Sequence, residues 1–307
     1  MSLIDRITDV NRRIVGRQYY RLRVNGRAVG FIDAQFLPEL DKRLFVVDDT
    51  TRCVSVRFNN RSTFEKQIAA FFRSYFDKHQ LDGWRDEYYT VADKYNDEPL
   101  FLLERSALPF LGVIGYGVHV NGYVEQADGL FMWVAKRSST KPTAPGKLDQ
   151  IAAGGQPYAI STTENVIKEC EEEASIPESL ARKAVPVSTI SYWYDRSIGM
   201  RQDVIFNYDL RLPLDFKPQV NDDEVDCFKL YSMPEVLDII ANTRQFKLNS
   251  AVVIIDFAIR HGVITPQDPD YLALSESMNL RRQRIWEEEQ NILSHCNQKL
   301  THGTTTG

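Results

Sequence analysis

The sequence predicts an α/β protein, of mixed-sheet α/β or α+β type, in two folded blocks. Three observations carry that expectation. The chain has 307 residues, enough for two modest domains. Hydrophobic residues make up 43% of it and aromatic residues 11%, so a sizeable core can form. Strand-like runs are interleaved with a few helical ones rather than segregated from them.

In chain order, Leu3, Ile4, Ile7, Val10 and Ile14 fall at helix spacing. YYRLRV and AVGFID then read as strands joined at Asn25-Gly26, a hairpin signal. Phe64 to Gln80 reads as an amphipathic helix, and YYTVAD and FLLE as further strands. Residues 1–113 are therefore expected to form a small α+β domain.

The second block, residues 114–265, opens on GYGVHVNGYV. Tyr116, Val118 and Val120 alternate there, and Asn121-Gly122 suggests a bend. LFMWVAKR, residues 130–137, is a second strand, and LDQIAAGG a short one ending in two glycines. An acidic helix follows, then strands around VPVSTISYWYD, QDVIFNYDLRL and CFKLYS. A helix is expected from Pro234 to Asn242, and a buried one from Ala251 to Gly262, where the glycine is a stop signal. Residues 266–307 hold a charged helix, LRRQRIWEEEQNILSHC, and the tail THGTTTG, which should fray.

Composition narrows the function classes. Lys and Arg number 37 against 42 Asp and Glu, so 37 − 42 leaves a net charge of −5. That balance offers no general attraction to nucleic acid or to an anionic membrane. It would also repel a phosphate substrate, so phosphate chemistry here would need a bridging cation. The cysteines Cys53, Cys170, Cys227 and Cys296 form no CxxC pair, which predicts a reduced, cytoplasmic protein. The longest apolar run, AVVIIDFAI, is too short to cross a bilayer and contains Asp256. Asp5 and Asp9 sit among the first arginines with no hydrophobic signal core, so no targeting peptide is expected.

The acidic helix carries the most chemistry. Ser161-Thr162-Thr163-Glu164 is a capping box, which starts the helix at Thr162, and Pro177 stops it after Ser175. At about 100° per residue, Ile167, Cys170 and Ala174 share one face, with Val166 at its edge. That face should pack on a sheet. Glu169, Glu172 and Glu173 fall on a second face as i, i+3 and i+4, while Glu171 and Glu164 point elsewhere. Like charges so spaced destabilise an isolated helix, and a hard divalent cation would relieve them. On the helix alone, a solvated acidic face is the competing reading.

The neighbourhood tips the balance. Strand, Gly154-Gly155, loop, carboxylate helix and proline follow one another, and the order resembles the Nudix box. That motif has a leading glycine, an early glutamate, then Arg-Glu-aliphatic-x-Glu-Glu-x-Gly-aliphatic. Gly154 takes the leading glycine, Lys168 the arginine, Glu169 the next glutamate and Cys170 the aliphatic position. Glu172 and Glu173 take the paired glutamates, and Ile176 the last aliphatic. Three positions depart: the early glutamate is Ile160, the arginine is Lys168 and the late glycine is Ser175. A longer similarity, from about Arg85 to Gly262, is to one Nudix subgroup whose members carry an extra N-terminal domain. In fungi a related region is fused to thiamine pyrophosphokinase.

The resemblance implies a Nudix α/β/α sandwich with a mixed sheet behind the small N-terminal domain. It also implies metal-dependent hydrolysis of an organic diphosphate, with thiamine diphosphate or its oxy- and oxo-analogues as the expected substrate. A nucleoside-diphosphate derivative is the alternative substrate, and a non-catalytic diphosphate sensor the alternative class. The carried-over metal ligands are Glu169, Glu172 and Glu173, holding Mg²⁺ or Mn²⁺. Glu172 and Glu173 are also catalytic candidates. So is Glu224 as general base, drawn from Asp222, Asp223 and Glu224 of the loop NDDEVD, with an ordinary acidic turn before CFKLYS as the other reading. The family also carries a tendency to form homodimers.

Several further residues are candidates for substrate contact. Gly154 and Gly155 would let the loop backbone approach closely. Lys136 and Arg137 could meet phosphate, with a solvated strand end as the other reading; Lys168 is a further candidate, and Lys147 and Asp149 could line the pocket. In SYWYD, Trp193 could stack on a thiazolium or pyrimidine ring, with core packing as the other reading. His119, among apolar strand residues, is expected to be structural. Cys170 should face the core and make a poor nucleophile.

Overall fold

A computed structural model describes residues 2–141, 143–197, 199–221 and 223–278. The predicted C-terminal charged helix, the tail, Cys296 and Asp222 lie outside the described residues. The chain divides into two compact units. One contains Arg13–Gly115 and Trp193–Gln202; the other contains the residues up to Arg12, then Tyr116–Tyr192 and the stretch from Asp203. Helix α1 (Leu3–Asp9) thus packs with the second unit, not the first, and the linear boundaries at 113 and 265 do not describe the packing.

In the unit built on residues 13–115, β1 (Tyr19–Val24) and β2 (Arg27–Asp33) form the hairpin at Asn25-Gly26. β3 (Val46–Asp48) and β4 (Cys53–Val56), which the sequence did not reveal, complete a sheet ordered β2-β1-β4-β3. β1 and β4 run parallel, and the other pairs antiparallel. Helix α2 spans Arg61–His79, three residues earlier than its apolar spacing suggested, because Asn60 caps it through the amide of Thr63. Its Phe64, Ile68, Phe72 and Phe76 recur every fourth residue and are buried in an aromatic core with Phe36, Phe101 and Phe110. β5 (Tyr88–Val91), β6 (Phe101–Glu104) and the short α3 (Leu108–Leu111) close this unit.

The other unit is an α/β/α sandwich. Its seven-stranded sheet is built from β7 (Ile114–Gln126), β8 (Gly129–Arg137), β9 (Leu148–Asp149), β10 (Ala152–Gly155), β11 (Val185–Arg196), β12 (Gly199–Arg211) and β13 (Val225–Ser232). The order is β11-β12-β7-β8-β13, with β10 on β7 and β9 on β8. β7 passes straight through Asn121-Gly122, so the expected bend is absent. Gly122 instead makes room for Ile151, whose side chain would meet a Cβ there at 2.8 Å.

Period-two alternation along β7 sorts the layers. Val118, Val120 and Val124 pack with α4 (Thr162–Ala174) through its Val166, Cys170 and Ala174. Tyr123 faces the other way, onto Phe257 of α7 (Leu248–Arg260). α5 (Glu178–Ala181) adjoins α4. α6 (Met233–Asn242) lies on β8 and β13. α1 packs against α6, α7 and α8 (Tyr271–Ser277). Arg244 and Asp9 pair at 2.8 Å, which holds α1 to the end of α6. Among the described residues no helix is long and apolar enough to cross a membrane.

Helix α4 starts as expected, with Ser161 and Glu164 in a reciprocal capping box. It ends at Ser175, which adopts φ +51° while its amide and that of Ile176 turn back onto the last carbonyls. This left-handed position is where the Nudix pattern has glycine, and a Cβ there is strained. Ser175→Gly should therefore stabilise the protein by about 0.5–1 kcal/mol, read as a higher urea midpoint. An unchanged or lower midpoint would refute the assignment of strain.

Candidate active site

Helix α4 and strand β10 bring the glutamates to the glycines. Gly154 and Gly155 pair with Val118 and Gly117 of β7. The loop after them is fastened to α4 by Asn165, a fully buried residue in the first turns. Its Nδ2 donates to the Gly155 carbonyl at 2.7 Å and to Gln156 Oε1 at 3.2 Å. Gln156 Nε2 in turn donates to the carbonyl of Ile160 at 2.7 Å. The position of the family's early glutamate thus contributes its backbone here, not its side chain.

Two carboxylates converge on this loop. Glu173 is buried, and its Oε2 accepts from the amide of Ala153 at 3.0 Å. The Glu169 carboxylate lies against Gly154, where an added Cβ would sit 2.1 Å from its Cδ. Burial raises the pKa of both. For Glu173, repulsion from Glu169, Asp149 and Glu224 adds to the rise; for Glu169, Lys168 opposes it. Glu169, Glu173 and Glu224 therefore share one electrostatic site, although they come from a helix and a distant loop.

The expected triad is not gathered. Among the described residues, no group of three or more His, Cys, Asp or Glu side chains is arranged to hold a metal ion. Glu172 stands at the exposed rim and pairs with Lys168 at 2.8 Å. The helix explains this: Glu169 and Glu173 differ by about 40° around its axis, whereas Glu172 and Glu173 differ by about 100°. When the first two face β10, Glu172 must face outward. Lys168 bridges Glu169, at 3.2 Å, and Glu172, so its ammonium is engaged by glutamates rather than open to a phosphate.

Other expectations are redistributed. Glu224 lies within the site's field, and its carboxylate pairs with Lys141, a partner that no sequence signal indicated. Lys136 is exposed on β8 and makes no ion pair with these glutamates among the described residues. Arg137 is buried and donates to Asp149 at 3.0 Å, so it is structural rather than a phosphate ligand. Asp149 is itself buried, held in the charged form by Lys247 and Ser250 of the α7 start as well. Lys147 turns away to the carbonyl of Arg244. Trp193 is the clearest correction. It is fully buried in the unit of residues 13–115, edge-on to Phe31 and 4.5 Å from the Arg13 guanidinium. Its ring is core and cannot stack on a substrate. Cys170 is buried as expected, and its thiol is pushed up to about 12.

The carboxylate pair fits a hard divalent cation. Its donors are oxygens, the two acids repel each other in a desolvated setting, and Mg²⁺ sites need only one or two carboxylates when substrate phosphates complete them.

Comparison with known proteins points the same way. A family model described as a domain of unknown function, DUF4743, matches residues 2–115. Nudix hydrolase 24, chloroplastic, of Arabidopsis thaliana is 46% identical over 194 residues, 63% of this chain and 53% of that protein. Nudix hydrolase 20, chloroplastic, of the same plant is 43% identical over 216 residues, 70% and 58% of the respective chains. Uncharacterized protein YJR142W of Saccharomyces cerevisiae is 34% identical over 288 residues, 86% of this chain and 83% of that one. Over the first two of those stretches the chain is similar to proteins named Nudix hydrolases. It spans little more than half the length of the two plant relatives.

Two measurements test the site's physics. Gly154→Ala should cost less than about 1 kcal/mol of stability, because only a flexible carboxylate must move. It should still weaken Mn²⁺ binding, read by electron paramagnetic resonance, by about tenfold or more. Unaltered binding would show that Glu169 is not a ligand. The second concerns His119, which bonds Gln150 at 2.7 Å. Burial, with Lys247 and Arg137 nearby, lowers its pKa from 6.5 to about 4. Between those values the unfolded chain binds the proton and the folded one does not. Stability should therefore fall as pH drops through that window, by up to about 3 kcal/mol from this group. His119→Gln should flatten the slope of urea midpoints between pH 7 and 5; an equal slope would exclude His119 as its source.

Proposed function

We propose that this protein hydrolyses an organic diphosphate with the help of a divalent cation, Mg²⁺ or Mn²⁺. The observation that carries the reading is the buried pair Glu169 and Glu173, drawn together against the Ala153-Gly154 backbone. Those two residues would hold the cation, with Glu172 next to them at the rim. When bound, the cation would neutralise charge on the phosphate oxygens and acidify a water.

The chain's own groups have separate tasks. Gly154 and Gly155 leave the backbone open where a diphosphate must come close. Lys168 lies between Glu169 and Glu172, pairing with them at 3.2 and 2.8 Å, and opposes the rise that burial imposes on the Glu169 pKa. The carboxylate of Glu224, within the field of both buried glutamates, would take the proton of the attacking water. Water would add to one phosphorus while the bridging P–O bond breaks, leaving two monophosphate products.

Thiamine diphosphate and its oxy- and oxo-analogues are the proposed substrates, supported by the similarity to the subgroup fused to thiamine pyrophosphokinase in fungi. Burial of Trp193 removes one aromatic wall that would have favoured a thiazolium ring. Nucleoside-diphosphate derivatives are therefore the second substrate class to assay. Cys53, Cys170 and Cys227 are free thiols, which fits a reducing compartment such as the cytosol.

Phosphorus NMR in ¹⁸O-labelled water with Mg²⁺ tests the reading on thiamine diphosphate, oxythiamine diphosphate, ADP-ribose and NADH. The expected result is labelled monophosphate from at least one of them. Glu224→Gln should lower kcat by about 10²-fold or more while leaving Mn²⁺ bound, and Glu173→Gln should lose both. Metal binding without turnover of any diphosphate would instead make the chain a sensor.

A further inference from the structure

A cavity of about 550 Å³ opens in the sandwich unit at the other end of β7. One of its walls is Tyr123, five residues along the strand from Val118, the partner of Gly154. That is roughly 17 Å at the rise of a strand. The two sites also use opposite faces of the sheet, since Val118 packs toward α4 and Tyr123 toward α7. The cavity is therefore separate from the glutamate site.

Its floor is a fixed ionic network. Asp209 is buried and accepts from Asn121 Nδ2 at 3.0 Å, from Arg260 at 2.5 and 3.0 Å, and pairs with His261 Nε2 at 2.8 Å. Arg260 also reaches Asp256 at 2.8 Å. These bonds hold the guanidinium and imidazole in place before any ligand arrives. Asn121 is fully buried, and its Oδ1 has no partner. The wall is equally rigid: Tyr123 lies edge-on to Phe257 and His261 at 5.3 and 5.2 Å, and His261 stacks on Phe257 at 4.0 Å.

The mouth has the opposite character to the glutamate site. Lys183 and Arg211 line it, both exposed. Arg211 meets Glu125 at 2.5 Å, while the Lys183 ammonium has no ion-pair partner among the described residues. Lys183, Arg211 and Arg260 outnumber Asp209 around the cavity, in a chain whose net charge is −5. Val185 and Val187 add an apolar strip beside the tyrosine.

Cations at the mouth, a fixed ring wall and this volume suit one ligand chemistry. We propose that the cavity is a second ligand site that takes an organic phosphate monoester. Lys183 and Arg211 hold the phosphate, and Tyr123 and Val185 pack against the organic body. Diphosphate cleavage releases molecules of this class, so the site would report on product if the proposed activity holds; the binding itself does not depend on that activity.

Calorimetry on the full chain tests this, with AMP and inorganic phosphate as probes and EDTA present. The expected result is AMP binding that is equal in wild type and in the Glu169→Gln/Glu173→Gln double variant. Lys183→Glu and Arg211→Glu should each weaken it by about tenfold or more, with circular dichroism confirming the fold. Tyr123→Leu should weaken AMP while leaving inorganic phosphate unchanged. AMP binding that disappears in the double glutamine variant, or that ignores both charge reversals, overturns the proposal. So does the absence of AMP binding, and so does phosphate binding as tight as that of AMP.

Discussion

Two carboxylates forced together in a desolvated corner are the constraint around which the sandwich unit is organised. Glu169 and Glu173 are one helical turn apart, and β10 shields both from water. Burial and mutual repulsion favour their neutral forms. A fold optimised for stability alone would place smaller apolar residues there, as Cys170 and Ala174 do on the adjoining stripe. The arrangement makes physical sense if a cation completes it, and the surroundings are built to keep both acids in register. The capping box sets where α4 begins, Asn165 ties the helix to the Gly155 carbonyl, and the amide of Ala153 holds Glu173.

A second layer of charge supports the first. Asp149 lies just before β10 and is kept ionised by Arg137, Lys247 and Ser250. Those partners come from β8 and from the start of α7, so one buried acid links the strand before the glycines to the far helical layer. His119 sits in the same buried region and stays neutral, which avoids adding another cation to it. Glu224 lies immediately before β13, and the Ser138 amide donates to its carbonyl at 2.9 Å. Lys141 then meets its carboxylate. Helix α4, strand β9 and two loops thus all supply charged groups to the site.

The two faces of the central sheet divide the chemistry. The α4 face is apolar except at the glutamate stripe, while the α7 face carries polar clusters around Asp149 and around Asp209. Strand alternation alone produces the split, because neighbours such as Val118 and His119 must point opposite ways. Negative charge therefore collects at one end of the unit and positive charge at the mouth of the other cavity.

The sequence by itself determined much of what depends on local spacing. The cap at Ser161, the apolar face of Cys170 and Ala174, the Asn25-Gly26 hairpin and the order of strand, glycines and acidic helix were all legible, because helix and strand periods are short-range. The Nudix resemblance rested on the same local run. Tertiary structure decided what long-range packing controls. It turned Glu172 outward, since only contact with β10 defines which part of a three-glutamate stripe is inside. It buried Trp193 in the unit of residues 13–115 and placed α1 in the other unit, because unit membership follows contacts rather than chain order. It straightened β7 through Asn121-Gly122, where Ile151 needed the space. It also paired Glu224 with Lys141 and Arg137 with Asp149, since side chains far apart in sequence meet only when the sheet is assembled.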